Sequence, residues 1–540
     1  MRILLFVLLL SLCIAPKDTV SIEKIEPVEK RPNIIFIMSD DHAYQAISAY
    51  QDNLIQTPNI DRLAIEGMRF TNACVTNSIC APSRATILTG THTHINGKID
   101  NHFPFDTTQV TFPQLFQQNG YKTAMFGKLH FGNSPKGVDE FMILPGQGNY
   151  INPDFITTNG DTTRIEGYTT DIITDLTLDW LQRESNDEEP FMMMYLHKAP
   201  HRPWWPRPDK FAEFYTKQFP EPETLFDNYE NRGTAAKTAE MNLLHHMMYN
   251  HDSKVRPETM ARMGEKATPK VNEYNNGFYG PYNRATEKQK SQYEPTLDAI
   301  NQFFEENWPT MNEREKMQWK YQRYMQDYLA CISSVDDNVG RLLDYLDDSG
   351  LAENTIVIYT SDQGFFLGEH GWFDKRFIYN ESFKTPLLAR WPNKINAGTV
   401  ETKMVQNLDF AQTMLEAAQI KAPDHMQGES LMPLLLGEGD DWDRDAVYYH
   451  YYEYPSVHMV KRHYGVVTEE FKLAHFYYDV DEWELYDRLK DPNELKNVYH
   501  DPVYQDTVKS LKTKLANLRR QYKDSEALDQ KFIERYKAKK

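Results

Sequence analysis

The sequence predicts an α/β sandwich: a largely parallel sheet between helices, followed by a smaller C-terminal α+β region of antiparallel strands and a helix. Three observations carry this. Short continuous apolar runs recur at wide intervals: Asn33 to Met38, Lys122 to Phe126, Phe191 to Leu196 and Thr355 to Thr360. Runs without alternation suit strands covered on both faces, as in parallel sheets. Helical spacing separates them, most clearly from about Met325 to Asp348, where Met325, Leu329, Ile332, Val335, Val339, Leu342 and Leu346 share one face and Gly350 closes the segment. Strands alternating with helices give a layered α/β unit.

The chain has 540 residues, with 40% hydrophobic and 25% charged, which suffices for more than one core. Net charge is −19, from 59 Lys+Arg against 78 Asp+Glu. An acidic balance of that size argues against general nucleic-acid or anionic-membrane binding. Only four cysteines are present, one of them in the leader, so disulfides do not build the fold.

Residues 1–15 read as a secretory signal peptide, with Arg2 before the apolar run Ile3 to Leu10. Cys13 opens a lipoprotein alternative, and residues 16–30 read as a linker. Export to the periplasm or medium follows, and no later stretch is long and apolar enough to span a bilayer. Residues 31–395 form the expected catalytic domain and 396–540 the C-terminal one. Within the first, about 220–309 is polar and weakly periodic, an insertion that either walls a site or is a surface excursion. In the second, Ala446 to Tyr454, Gly465 to Tyr478 and Trp483 to Tyr486 read as strands. Val508, Leu511, Leu515, Leu518 and Tyr522 mark a closing helix, and the Lys-rich end beyond it reads as frayed.

Each buried-strand pattern ends in polar groups. Ser39-Asp40-Asp41-His42 follows the first, Gly127-Lys128-Leu129-His130 the second, His197-Lys198-Ala199-Pro200-His201 the third and Ser361-Asp362-Gln363-Gly364 the fourth. In open α/β sheets the carboxyl edge of the strands is where ligands bind. Adjacent carboxylates there call for a hard cation, and Ca²⁺ takes carboxylate and amide oxygens.

Cys80-Ala81-Pro82-Ser83-Arg84-Ala85-Thr86-Ile87-Leu88-Thr89-Gly90 is the most specific stretch. Pro82 fits a first helical turn and Gly90 a terminator. Cys80 then sits at a helix N-terminus that favours an anion, with Arg84 adding a forked cation. A buried free thiol, a disulfide to Cys74 and a metal ligand are the plain alternatives for this cysteine.

The stretch resembles the type I sulfatase signature Cys-x-Pro-Ser-Arg-x-x-x-x-Thr-Gly at every defined position, and the resemblance extends from about Arg31 to Asp501. It implies an alkaline-phosphatase-like α/β/α sandwich and a sulfuric ester hydrolase. It also implies oxidation of Cys80 to formylglycine (3-oxoalanine) by a formylglycine-generating or anaerobic sulfatase-maturating enzyme. The implied Ca²⁺ ligands are Asp40, Asp41, Asp362, Gln363 and the modified Cys80, with Gln363 where the family often has Asn. The implied catalytic set is Cys80, Arg84, Lys128, His130, His201 and Lys375. In the implied reaction a hydroxyl of the hydrated aldehyde attacks sulfur, Arg84, Lys128 and Lys375 hold sulfate oxygens, His201 protonates the leaving alcohol and His130 takes the second hydroxyl proton.

Leu144-Pro145-Gly146-Gln147-Gly148 and Tyr449-His450-Tyr451-Tyr452-Glu453-Tyr454-Pro455 resemble bacterial polysaccharide sulfatases. The implied substrate is a sulfated carbohydrate, either an algal polymer such as ulvan or 6-sulfated N-acetylglucosamine of glycosaminoglycans. His458, Lys461 and Arg462 form a basic knot that could contact it. A phosphonate or phosphate ester hydrolase of the same superfamily, and an inactive glycan-binding protein, are the competing classes.

Overall fold

The computed structural model of the chain describes residues 30–185, 189–264 and 276–537. The signal-peptide segment 1–15, with Cys13, and all but the last residue of the 16–30 linker lie outside the described residues. Among those described, no helix is long and apolar enough to cross a membrane.

A ten-stranded sheet organises the large layer. Its strands run in the order Thr399–Glu401, Met68–Phe70, Leu387–Arg390, Thr355–Ser361, Asn33–Ser39, Phe191–His197, Lys122–Gly127, Glu140–Ile143, Asp154–Thr157 and Thr162–Arg164. The five from Thr355–Ser361 to Glu140–Ile143 pair in parallel. Antiparallel pairs extend the sheet on both sides.

The three central strands are buried along their whole length, as unbroken apolar runs require. Alternation still sorts their side chains. Ile35, Ile37, Met193, Tyr195, Val357 and Tyr359 join one core with the Glu313–Asp348 helix. Ile34, Phe36, Met38, Met192, Met194, Ile356 and Ile358 join the other, with Ala81, Ala85, Ile87 and Leu88 of the Cys80–Thr89 helix. The result is a sheet between two helical layers.

The long helix begins twelve residues earlier than its apolar spacing suggests, at Glu313 rather than Met325. Its start is marked by a capping box: the Asn312 side chain accepts from the Glu315 amide at 3.0 Å, and Glu315 answers at 2.8 Å. The first turns carry mixed residues because the 220–309 segment, rather than the sheet, covers them. That segment is largely helical, with Glu287–Asn307 its longest element, opened by a Thr286/Gln289 capping box. Several of its helices have only four to seven residues, Leu243–His246, Tyr249–Asp252 and Pro257–Met263 among them, too few for a clear period.

The C-terminal sheet has four antiparallel strands in chain order: Ala446–Tyr451, His463–Thr468, Phe471–Phe476 and Glu482–Asp487. One face, with Val447, Tyr449, Val467, Ala474 and Tyr486, packs on Ile79, Phe366, Trp372 and Tyr379. The other, with Tyr448, Val466, Leu473 and Leu485, is covered by Val508, Leu511 and Leu515 of the Gln505–Gln521 helix. A second helix, Glu526–Lys537, stands where the sequence reads as frayed; Phe532 and Ile533 are buried in it. Thr399–Glu401 and the Phe410–Ala417 helix sit with the large sheet and its core, and everything from Arg31 onward forms one compact unit.

Leu342 is fully buried between the long helix and the sheet. Leu342→Ala is expected to cost about 2–5 kcal/mol through lost burial and a residual cavity, read as a lower denaturation midpoint.

Candidate active site

Strand register sets the site. Ser39 pairs with His197 on one side and with Ser361 on the other, and Gly127 pairs with Leu196. The residues that follow these strands therefore leave the sheet at one level. Asp40, Asp41, Lys128 and Asp362 stand at its carboxyl edge for that reason, and all four are buried.

The Cys80–Thr89 helix aims its first turn at this edge. Gly90 ends it in the left-handed conformation, φ 60°. Ser83 Oγ donates to the Asp362 carbonyl and accepts from Asn407 Nδ2 at 2.8 Å. Arg84, fully buried, donates from Nε to Asp362 Oδ2 at 2.9 Å, lies 3.4 Å from Asp40 Oδ1, and donates from Nη1 to the Lys128 carbonyl. One guanidinium thus ties three strand ends to the helix.

Lys128 pairs with Asp40 and donates to Gln147 Oε1. Lys375 pairs with Asp41 and lies 3.2 Å from Cys80 Sγ. Asp41 also receives Gln363 Nε2, and its own amide donates to Asp362 Oδ1 at 3.1 Å. His201 Nε2 is 3.7 Å from Asp41 Oδ2. Three carboxylates thus face three permanent cations in a dry place.

Burial moves the titrating groups and neighbours correct them. Burial raises Asp40, but Lys128, His201, Arg84 and Lys375 outweigh it and hold the group well below the carboxylate range. Burial pushes Asp41 up to about 7, with Lys375 opposing and Asp40, Asp362 and Asp374 adding to the rise. Burial, then Asp40, lifts Asp362 to about 6 against Arg84. Burial raises the Cys80 thiol well above its usual value although Lys375 opposes it, so the plain thiol is a poor nucleophile here. His130 and His201 are both held well below the ordinary imidazole value, by burial first and Lys128 second.

The donor set fits a hard cation. Ligand atoms of Asp40, Asp41, Cys80 and His201 lie within 4.8 Å of one another. Asp40 Oδ1, Asp41 Oδ2 and Gln363 Oε1 are buried without a hydrogen-bond partner among the described residues. Orphaned buried oxygens are costly unless a cation meets them, and carboxylate plus amide oxygen is the chemistry of a hard divalent ion.

Every residue of the expected catalytic and metal sets except His130 is joined to this cluster by a hydrogen bond, ion pair or thiol contact. His130 follows Lys128 by two residues, in a left-handed conformation at φ 66°, with Nδ1 unpartnered among the described residues. Cys74, Cys80 and Cys331 are free and buried, so the Cys74 disulfide alternative does not hold.

Of the basic knot, His458 approaches the site: its Nε2 is 3.1 Å from Asp374 Oδ2, beside Lys375. Lys461 instead pairs with Asp479 and Tyr454, and Arg462 donates to the Tyr454 carbonyl at 3.1 Å beside the Tyr536 ring. Among the described residues neither has a hydrogen bond or ion pair to the Cys80 cluster.

The sequence reading missed the groups around Lys375. Asp374 lies 3.4 Å from Arg376, which pairs with Glu453 at 3.1 Å. Asp41, His130, Asp374, Arg376 and His458 all take positive φ, between 64° and 99°. Such conformations cost energy in side-chain-bearing residues and gather at functional sites. The run Asp374-Lys375-Arg376 was the available signal, since three consecutive charged residues in an apolar neighbourhood are uncommon.

Fold and site together place a buried cysteine among three carboxylates and three cations at the carboxyl edge of an α/β sandwich. Two family models match the chain: Sulfatase over residues 32–420, and N-sulphoglucosamine sulphohydrolase, C-terminal, over residues 368–521. An N-acetylglucosamine-6-O-sulfatase of Bacteroides thetaiotaomicron is 46% identical over 503 residues, covering 92% of this chain and 88% of its own. A solved structure of a protein in complex with its substrate D-glucosamine-2-N,6-O-disulfate matches with TM-score 0.86 and 46% identity, covering 92% of this chain and 99% of the other. An ulvan-active sulfatase of Formosa agariphila is 22% identical, covering 92% of this chain and 83% of its own. The chain belongs to the sulfatase family and is a sulfuric ester hydrolase.

Dialysis against a strong chelator is expected to lower turnover at least about tenfold and to be reversed by adding back a hard divalent cation. Elemental analysis before and after dialysis checks that one ion per chain is lost.

Proposed function

We propose that the protein releases sulfate from the 6-position of glucosamine-type sugars of a sulfated glycan or its oligosaccharides. The single observation that carries this reading is the 46% identity, over nearly the whole chain, to a named N-acetylglucosamine-6-O-sulfatase. A structural neighbour bound to a 6-O-sulfated glucosamine points the same way. Sulfated algal polymers are the second reading, supported by a more distant ulvan-active relative.

In this reading Cys80 is converted to formylglycine by a maturation enzyme before the protein acts in an exported compartment. Asp40, Asp41, Asp362, Gln363 and the modified Cys80 hold Ca²⁺. Bound there, the ion supplies positive charge that offsets the three carboxylates and stabilises developing oxyanion charge.

The remaining roles belong to the chain's own side chains. Lys128, Lys375 and Arg84 surround the sulfate and spread its charge as one hydroxyl of the hydrated residue-80 aldehyde bonds to sulfur and the S–O bond to the sugar breaks. His201 gives the departing sugar oxygen a proton, so that an alcohol rather than an alkoxide leaves. His130 takes the proton released when sulfate is expelled from the Cys80 side chain. Burial of His130 beside Lys128 favours its neutral form, which suits a group that takes up a proton. His458, with Asp374 and Arg376 behind it, offers the sugar a polar rim beside Lys375.

The reading is tested by measuring sulfate release from N-acetylglucosamine 6-sulfate, its 3-sulfate isomer, sulfated ulvan oligosaccharides and a sugar 6-phosphate. Turnover of the 6-sulfate well above the other three is expected; preference for ulvan fragments or the phosphate overturns it. Cys80→Ala is expected to abolish turnover while leaving the melting temperature close to wild type. Mass analysis of the active protein should find CHO in place of CH₂SH at residue 80; an intact thiol refutes the modification.

A further inference from the structure

The turn that carries His201 is held from the 220–309 segment. Arg202, the next residue, donates from Nε and Nη2 to the two carboxylate oxygens of Asp252, each at 2.6 Å. This is the planar, bidentate geometry that fixes a guanidinium in direction as well as position. Asp252 ends the Tyr249–Asp252 helix and is fully buried. Its oxygens also receive the Met248 amide at 2.7 Å and lie 2.7 Å from His251 Nδ1. Burial raises Asp252, but Arg202 and His251 overcome it and keep the group ionised.

The segment that carries Asp252 is anchored on two sides. Lys254 pairs with Asp327 of the long helix at 2.8 Å, and Lys320 of that helix donates to the Met247 carbonyl at 2.6 Å. On the other side Tyr293 donates to the Pro206 carbonyl at 2.9 Å, close after His201 in the chain. Asp252 is therefore a fixed point, and Arg202 transmits its position.

His201 depends on that transmission. Its Nδ1 engages the Arg202 carbonyl, and its own carbonyl accepts from Tyr150 at 2.7 Å. With Nδ1 committed, Nε2 is the nitrogen left on the side of Asp41 and Cys80. Arg202 also lies 5.1 Å from the Phe373 ring, two residues before Lys375. A carboxylate outside the sheet edge thus holds the turn that carries His201.

We infer that Asp252 is a positioning residue for the reaction: through Arg202 it holds the His201 ring with Nδ1–H on the Arg202 carbonyl, so that in the imidazolium form Nε2–H is aimed at the departing sugar oxygen. The 220–309 segment then takes part in catalysis without supplying a group that touches substrate. This inference rests on the reading of His201 as the proton donor.

Breaking a buried ion pair also destabilises, so a loss of activity alone does not test the idea. A kinetic cycle does. Asp252→Asn, His201→Ala and the double variant are prepared as the mature, metal-loaded protein and assayed on N-acetylglucosamine 6-sulfate. Asp252→Asn is expected to lower kcat about tenfold or more with KM within about threefold. In the His201→Ala background the same change is expected to alter kcat by less than about twofold, because the group it positions is gone. If the Asp252→Asn loss recurs in full in that background, or if Asp252→Asn leaves kcat at the wild-type value, the inference falls. If His201→Ala itself keeps wild-type kcat, the reading of His201 as acid falls instead. Should Asp252→Asn fail to fold, Arg202→Lys, which keeps a cation but not the planar fork, enters the same cycle with the same outcomes.

Discussion

The constraint on which this structure turns is electrostatic. Asp40, Asp41 and Asp362 are buried at one edge of a sheet, where isolated carboxylates are very costly. Arg84, Lys128 and Lys375 meet them, each arriving from a different part of the chain. Neither set is tolerable there alone. The cysteine helix, the sheet and the Lys375 loop must come together before either charge is offset, so forming the site and closing the fold are one event.

That balance also frames the chemistry. A sulfate ester carries negative charge in and needs its oxygens held as the S–O bond breaks. A site whose cations are already fixed in a buried cluster meets that charge with little reorganisation. The same dryness raises the Cys80 thiol far above its ordinary value. An unmodified cysteine is thus poorly suited to attack here, which agrees with the oxidised side chain proposed at this position.

The C-terminal sheet and the 220–309 segment both contact the loops that carry the candidate site. The sheet packs on Trp372 and Tyr379, flanking the Asp374-Lys375-Arg376 run, and supplies Glu453 to Arg376. The segment binds the loop after His201 through Asp252.

Much of this was legible in the sequence. Continuous apolar runs ending in acids, amides, lysines and histidines gave the central strands and the edge where they open, because strand burial and side-chain period are local properties of the chain. The Cys80 signature identified its helix for a similar reason: Pro82 and Gly90 act on the backbone beside them. The start of the long helix at Asn312 and Glu315 was also written locally, in a capping box, but weak apolar spacing hid it. What only the tertiary structure decided is which charged groups face one another. Nothing near Arg202 in the sequence points to Asp252, fifty positions on, and nothing in the basic knot tells His458 beside Asp374 from Lys461 beside Asp479. A charge carries no mark of its partner; its place is fixed by long-range packing, and that packing exists only once the chain is folded.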